Sequence, residues 1–482
     1  MKLITLLGGE TPLIIRHEGG NPDITSITFD SRKVEAGSCF VAQIGTRVDG
    51  HAFIAAAVEH GASAVVCSRM PDTLAPGVAY VQVENSDIAL GVMADNLYGN
   101  PSRRLKLIGV TGTNGKTTTV TLLHRLFRSM GCHAGLLSTI VNMIDDQPVP
   151  STHTTPDALE LNSLLSRMVQ AGCQYAFIEV SSHSIVQNRI AGLTFAGGIF
   201  SNITHDHLDF HKTMAAYIAA KKAFFDHLPP AAFALTNIDD PNGPVMVQNT
   251  PAHVSTYSLQ RMADFRTRVL EETFHGQQLQ INGCDVWTPL VGRFNAYNLT
   301  AVYAAALLCR VPQPEAARLL STLAPAEGRF QCLSGRGVTA IVDYAHTPDA
   351  LQNVLQTINR LKRPAQTLIT VVGCGGDRDA TKRPLMARIA QTLSNWVILT
   401  SDNPRTEDPQ RILDDMEAGL TPGQKNRVLR IADRRQAIRT AVLIAHPGDI
   451  LLLAGKGHEK YQDIAGVKHH FDDKQELEQL LK

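Results

Sequence analysis

Apolar and polar positions along this chain fall into three successive patterns. Up to residue 100, short apolar runs at 24–29, 39–42, 64–67 and 79–83 are separated by Gly, Asp and Pro turns, with a helical spacing over 53–60. Short apolar runs bounded by turn formers read as buried strands, so this block predicts a small α/β domain. From 101 to 328 strands alternate with helices. Apolar runs at 105–110, 175–180, 198–203 and 233–237 predict strands, and Val120, Leu122, Leu123, Leu126 and Phe127 predict a helix over 117–130. Such alternation argues for a mainly parallel, doubly wound sheet with ligands at the carboxyl ends of its strands. Residues 266–290, where Thr, Val, Gln and Trp alternate through turns, read as a hairpin excursion within this domain. From 329 to 482, VTAIVDYAH, LITVVGCGG, NWVILTSDNPR and DILLLAGKGHE are four apolar strands that each end in polar or glycine-rich residues, with a helical pattern over 351–361. They predict a Rossmann-like domain whose four polar tips share one sheet edge. The fold class is therefore α/β in three domains, 1–100, 101–328 and 329–482, with boundaries at the Gly99-Asn100-Pro101 turn and near 326–330.

Composition narrows the partners. A chain of 482 residues is too long for one ordinary core. Lys plus Arg and Asp plus Glu balance at 45 each, so no global field favours nucleic acid or a membrane surface, and a polyanionic ligand must be held by local clusters. The eight cysteines are scattered without a CxxC pair and read as buried apolar residues in a reducing compartment. The amino-terminal MKLITLLGGETPLIIRHEGG lacks the continuous apolar region of a cleavable signal, and no run is long enough to span a bilayer. The expectation is a cytoplasmic protein with no membrane insertion.

The chemistry centres on Gly109 to Thr119, GVTGTNGKTTT, directly after an apolar strand and before a helical pattern. Backbone N–H groups freed by Gly112 and Gly115 can face phosphate oxygens, Lys116 adds a point charge, and Thr117 offers a hydroxyl to Mg²⁺. The general phosphate-loop pattern wants a glycine where Val110 stands; the narrower TGTNGKTT is matched in full. An ATP or GTP site follows. Glu179, at the tip of YAFIEV, is placed as a Mg²⁺ ligand. The next strand ends in SNITHDHLDFH, crowding His205, Asp206, His207, Asp209 and His211; zinc is the competing reading, but carboxylates near a triphosphate suit Mg²⁺ better. By composition alone, the lysine pair of AAKKAFF faces solvent, and Asp30, Ser31, Arg32, Arg47, Asp49, Gly50 and His51 form a solvated loop surface.

The ordered motifs TGTNGKTT, EVSSH, SNxxxDHLDFH, AAK, GxFNxxN, GRF, VDYAHTPDAL, GCGGDRDxxKRP, DNPRTEDP and AGKGHExYQ resemble, over the whole chain, the Mur ligases of bacterial cell-wall synthesis. HTTPD, VDYAHTPDAL and DNPR are the more specific ones and resemble the branch that adds the third residue of the stem peptide. The resemblance implies an amino-terminal UDP-binding domain, a central ATPase, and a carboxyl-terminal domain that closes over the site and receives an amino acid. It implies that Ser31, Asp49, Gly50 and His51 hold the uridine and pyrophosphate of UDP-MurNAc-L-Ala-D-Glu, and that Thr154, Thr155, Ser181, Gln187 and Arg189 hold its muramoyl-peptide part. Gly112, Thr113, Asn114, Gly115, Lys116, Thr117 and Thr118 would form the ATP loop, with Asn295 and Asn298 facing adenine. Arg329 would contact the transferred phosphate, and Asp343, beside Tyr344 and His346, the ribose or hinge. Thr117, Glu179, His207 and a carbamylated Lys221 would serve Mg²⁺. Arg378, Asp402, Asn403, Pro404, Arg405, Gly455 and Glu459 would receive meso-diaminopimelate, whose distal carboxylate suits a guanidinium; L-lysine would leave Arg405 without a partner. The implied reaction is amide formation through an acyl phosphate by a monomer, with His207 or His346 as candidate bases or as plain ligands. Departures are SSHS for the usual SSHG and THDH for SRDH. The alternatives are L-lysine as the amino acid, a plain P-loop NTPase, and a nucleotide-sugar binding module.

Overall fold

Three main sheets follow one another along the chain in the computed structural model, which describes all residues except 10–12, 46, 47 and 152 and the side chains at 422, 424 and 425. Thr46 and Arg47 of the GTRVDGH stretch, with the reading of Arg47 as a loop-surface residue, lie outside the described residues.

The first sheet orders Ile14–Glu18, Ala79–Val83, Ala64–Cys67, Ser38–Val41 and Ser26–Thr28, parallel except for the first pair. Its central strands are buried along their whole length, as parallel strands covered on both faces must be. Ile14–Glu18 was not among the expected strands: it is an edge strand whose burial pattern is largely exposed, so it carries no apolar run. The helix Ser86–Leu97, also unexpected, starts where the Asn85 side chain accepts from Asp87 N and Ile88 N.

Among the described residues the second sheet has eleven strands. Its middle is parallel, in the order Phe265–Thr273, His253–Ser258, Phe233–Asn237, Gly197–Phe200, Lys106–Thr111, Tyr175–Glu179 and Ala134–Leu137. Residues 266–290 are more than an excursion: Phe265–Thr273 joins the parallel sheet, and Gly276–Ile281 and Cys284–Thr288 extend it antiparallel. Lys106–Thr111 lies between strands that come from later, opposite crossovers, so its carboxyl end opens at a topological switch point. The helix Lys116–Ser129 that follows buries Val120, Leu122, Leu123, Leu126 and Phe127 against the sheet. The Phe127 ring lies 4.4 Å from Tyr175 and 5.2 Å from Phe177. Truncating such a ring to alanine costs about 3–5 kcal/mol, so this helix is held to the strand rather than resting on it.

The third sheet orders Gln331–Gly335, Val338–Asp343, Ile450–Ala454, Leu368–Cys374, Trp396–Ser401 and Val428–Arg430, parallel after the first pair. Asp343 is in register with Ala454, Ala454 with Val372, and Cys374 with Ser401. All four polar tips therefore share one edge, as the sequence predicts. A separate hairpin, Tyr461–Ile464 with Val467–His470, is pinned to the DNPR turn by Arg405 N donating to Asp463 O (3.0 Å) and Ala465 N to Arg405 O (2.7 Å).

Candidate active site

The carboxyl edges of the second and third sheets face each other across one cleft of about 1730 Å³. A single small-ligand pocket is roughly 300–1,000 Å³, so this one has room for more than one substrate.

On the central side the loop 112–115 turns the strand Lys106–Thr111 into its helix. Gly112 has φ +150°, and a Cβ there would meet Ser201 Oγ at 1.9 Å; Gly115 has φ +90°, and its Cβ would meet Asn298 Oδ1 at 2.5 Å. Both positions therefore require glycine. The loop is tied to the neighbouring strand's tail by Thr113 N donating to Asn202 O (2.8 Å) and Asn114 N to Asn202 Oδ1 (3.0 Å). Thr113, Asn114, Gly115, Lys116, Thr117 and Thr118 line the cleft, while Gly112 backs the loop from beneath. Lys116 Nζ donates to the loop's own carbonyls, Gly112 O at 3.0 Å and Thr113 O at 2.9 Å. Burial lowers its pKa, against the pull of Glu179 and Asp206.

Lys221 does not face solvent, as composition alone suggests. It is 1% exposed on the helix Met214–Asp226, and its Nζ donates to the same Gly112 carbonyl at 2.8 Å, 4.7 Å from the Tyr217 ring centroid. It lies behind the cleft lining. Burial, with Lys116 nearby, holds its pKa well below that of an ordinary lysine, which favours a neutral, nucleophilic amine. Lys222, next in sequence, turns away to Asp226.

Glu179 is buried at the cleft wall, its Oε1 accepting from Thr139 N at 2.8 Å. Of the histidines of SNITHDHLDFH, His207 and His211 pack on His183, with ring centroids 4.9 and 5.7 Å away, while His205 points to the other wall. His205 Nε2 lies 3.8 Å from Asp379 across the cleft, His207 Nε2 lies 3.4 Å from Asp206, and His211 pairs with Ser182 Oγ at 2.9 Å. Among the described residues no group of three or more His, Cys, Asp or Glu is disposed to hold a metal. The Thr117 hydroxyl, Glu179, Asp206 and His207 line this wall as oxygen and nitrogen donors open to the cleft. Thr154, Thr155, Ser181 and Arg189 continue the wall: Thr155 Oγ1 donates to Glu179 O (2.6 Å), Ser181 N to Thr155 Oγ1 (3.2 Å), and Arg189 Nη1 to Thr155 O (2.7 Å).

The third sheet supplies the opposite wall. Arg329 Nη2 donates to Thr117 Oγ1 at 3.2 Å while its guanidinium lies 4.7 Å over the Tyr344 ring. Asn114 Nδ2 donates to Asp349 Oδ2 at 2.9 Å. Asp343 accepts from Phe330 N at 2.7 Å, and burial raises its pKa to about 6. His346 is lowered to about 4 by burial and Lys382, and His207 to about 3 by burial; both are neutral and weak bases. Further along, Asp402, Asn403, Glu459, Arg405 and Arg378 crowd together. Asn403 Nδ2 donates to Glu459 Oε2 at 2.7 Å, Arg405 Nη1 to Gly376 O at 2.7 Å, and Gly455 N to Asp343 O at 3.1 Å. This end combines carboxylates with guanidinium groups and suits a zwitterionic ligand.

Several expected residues are not on this lining. Asn295 is buried, donates to Val291 O at 2.7 Å, and accepts from Asn298 at 3.2 Å; only Asn298 reaches the cleft. Gln187 ends the short helix Ser182–Val186, and Pro404, within the DNPR turn, faces a separate hollow shared with Gln462 and Phe471. Ser31, Asp49, Gly50 and His51 sit on the first sheet's loops, apart from this cleft. There His51 pairs with Asp49 at 2.7 Å and its Nε2 accepts from Ser68 N at 3.1 Å, while Gly50 N donates to Gln43 O at 2.7 Å. Sequence reasoning missed Asp349, Lys382, Tyr297 and Lys456. Asp349 stands inside VDYAHTPDAL, Lys382 inside GCGGDRDxxKRP and Lys456 inside AGKGHE, so these three lay within motifs already singled out.

Comparisons with known proteins show the family. The descriptions "Mur ligase family, catalytic domain", "Mur ligase middle domain" and "Mur ligase, glutamate ligase domain" match residues 23–98, 110–306 and 328–457. A UDP-N-acetylmuramoyl-L-alanyl-D-glutamate--2,6-diaminopimelate ligase of Bacteroides fragilis is 54% identical over 100% of this chain and 99% of its own. The protein of that name in Cytophaga hutchinsonii is 56% identical over 95% of each. The chain belongs to the Mur ligase family. Among solved structures of Mur ligases, one of a 2,6-diaminopimelate ligase superposes with a TM-score of 0.70 at 34% identity, covering 100% of this chain and 98% of its own. A MurF ligase of Thermotoga maritima, solved with ADP, has the same fold at a TM-score of 0.61 and 20% identity, covering 89% and 93%. No helix among the described residues of this Mur ligase is long and apolar enough to cross a membrane.

Proposed function

We propose that this chain is an ATP-dependent ligase that joins meso-diaminopimelate to the γ-carboxylate of D-glutamate in UDP-MurNAc-L-Ala-D-Glu, within the cytoplasm. The observation that carries the reading is that the phosphate loop and the zwitterion-suited pocket line one cleft, coupled by Arg329 on Thr117 and Asp349 on Asn114. The full-length relatives carry the name of this reaction.

In this reading Thr113 to Thr118 cradle ATP and Asn298 faces its base. The Lys116 ammonium exchanges the carbonyls of Gly112 and Thr113 for phosphate oxygens, gaining charge-assisted hydrogen bonds where the nucleotide binds. Thr117, Glu179 and His207 would hold Mg²⁺, which neutralises the triphosphate when bound. Lys221 would carry a carbamate, for which a buried, neutral amine is the required nucleophile. The γ-carboxylate attacks the terminal phosphorus, breaking its bond to ADP and forming an acyl phosphate; Arg329, already against Thr117, steadies the developing charge. The diaminopimelate amine then attacks the acyl carbon, phosphate leaves, and the amine's proton is lost. Thr154, Thr155, Ser181 and Arg189 hold the peptide end of the acceptor, and Ser31, Asp49, Gly50 and His51 its UDP end. Asp402, Asn403 and Glu459 receive the distal ammonium of the amino acid, and Arg405 with Arg378 its carboxylate. Closure of the two walls excludes water that would hydrolyse the acyl phosphate.

The test is phosphate release from ATP and Mg²⁺ with UDP-MurNAc-L-Ala-D-Glu, comparing meso-diaminopimelate with L-lysine. Turnover only with diaminopimelate is expected. Turnover with lysine would discard the role given to Arg405, and turnover indifferent to both would leave a plain NTPase.

A further inference from the structure

The amino-acid end of the cleft contains a cation that the reading above does not use. Lys456 is fully buried, 0% exposed, one layer behind the lining. Its Nζ donates to Asn403 Oδ1 at 3.1 Å and to Glu459 Oε2 at 3.2 Å, and lies 3.7 Å from Asp402 Oδ1. An ammonium has three hydrogens and no acceptor, and these three oxygens surround it.

Two consequences follow. Asn403 Oδ1 accepts from Lys456 and also from Asp463 N at 3.0 Å, so the orientation of the carboxamide is settled: its Nδ2 must face Glu459 Oε2, where it donates at 2.7 Å. Flipping it would set an NH₂ against an ammonium and a backbone N–H. The second consequence concerns charge. Burial and neighbouring Asp402 push the Glu459 carboxyl up, and Lys456 pulls it back toward the ionised form. Two further buried cations nearby contact other carboxylates, Arg434 with Asp473 at 2.6 Å and Arg383 with Glu407 and Asp415 at 2.8 Å, whereas Lys456 contacts Asp402 and Glu459 directly. Two wall carboxyls, Asp402 and Glu459, thus share Lys456 as a contacting cation, at 3.7 and 3.2 Å.

We propose that Lys456 is a positioning and specificity residue for the incoming amino acid: by fixing the Asn403 carboxamide and balancing one of two wall carboxylates, it sets the pocket to take one ammonium together with one carboxylate. A pocket without it holds two uncompensated carboxylates and a free amide, and favours a simple cation over a zwitterion. The inference rests on the assignment of this wall to diaminopimelate.

Steady-state kinetics of K456M test it, with all three substrates varied and L-lysine as the competitor amino acid. The expected result is a rise of about tenfold or more in KM for diaminopimelate, with KM for ATP and for UDP-MurNAc-L-Ala-D-Glu within about twofold, and a comparable fall in the kcat/KM preference for diaminopimelate over L-lysine. An unchanged KM for diaminopimelate, or a parallel rise in all three KM values, overturns the proposal. Removing one member of a buried charge cluster can prevent folding, so K456M/E459Q, which removes a cation and an anion together, is measured beside E459Q. If Lys456 acts through Asn403 and Glu459, the double variant matches E459Q in KM for diaminopimelate within about threefold; a further loss of about tenfold, confined to kcat, overturns it. Failure of the underlying reading is distinguishable, because the unaltered enzyme would then release phosphate without diaminopimelate dependence.

Discussion

Replacing Asp343 by asparagine should make the protein more stable and less active, with a pH signature that tests the electrostatics of the hinge. Asp343 ends the strand Val338–Asp343, accepts from Phe330 N at 2.7 Å, and has its carboxyl raised from an ordinary 3.8 to about 6 by burial, against the pull of Arg329 and of backbone donors. A carboxyl with a raised folded pKa keeps its proton in the folded state where the unfolded chain has lost it. Its contribution is therefore fully present below about pH 4, is lost as pH rises through about 6, and is constant above that. A difference of about two units at 1.36 kcal/mol each is roughly 3 kcal/mol lost at neutral pH. Asparagine has nearly the same shape, keeps an acceptor for Phe330 N, and never ionises. D343N should then gain up to about 3 kcal/mol near pH 8, a rise of roughly 6–12 °C in the melting step of a unit this size, and the gain should vanish near pH 4. Thermal melts of both proteins across that range give the result; three sheets can melt in separate steps, so the step that the variant moves is the one compared. A variant that melts below the parent near pH 8, or an offset that ignores pH, would refute the reasoning. Activity should fall in parallel, because Arg329 loses the anion that faces it.

Other expectations are simpler. Lys221→Met should keep the fold, since a thioether suits the buried site beside Tyr217, while kcat drops about a hundredfold or more; bicarbonate depletion should lower the parent's activity and leave the variant's unchanged. Gly328→Ala should slow turnover: φ is +66° and the new Cβ would lie 2.1 Å from His458 N, so the hinge could not pack on the 455–459 loop, and roughly 1–2 kcal/mol of backbone strain adds to a lowered melting temperature. Arg434→Met should cost about 3–5 kcal/mol by leaving Asp473 buried and unpaired, and Arg434→Met with Asp473→Leu should recover most of it in denaturant titration.

Much of the site was legible because its signals are local. The TGTNGKTT loop needs only glycines at two turn positions, a lysine and hydroxyls, all within one strand-to-helix junction, and Asp343, Asp402 and Gly455 stand at strand tips that the apolar runs mark directly. The single edge shared by the four carboxyl-terminal tips follows from parallel strands with helical crossovers, which the alternation of patterns already demands. Side-chain direction on buried helices was not legible. The helix Arg293–Leu308 is buried on nearly every face, so periodicity could not say that Asn298 reaches the cleft while Asn295 bonds inward to Val291 O.

What the sequence determined by itself is the main buried strands, their order and the chemistry carried at their ends, because hydrophobic period and turn geometry act over a few residues; an exposed edge strand such as Ile14–Glu18 left no such mark. What only the tertiary structure decided is which distant groups meet. Lys221 shares the Gly112 carbonyl with Lys116 from 109 residues away, Arg329 reaches Thr117 across 212, and Lys456 becomes a buried counter-ion only when the DNPR turn folds over it. A lysine on a helix and a lysine in a glycine loop look alike in sequence. Desolvation and the neighbours that compensate it, both products of packing, make them different chemical groups.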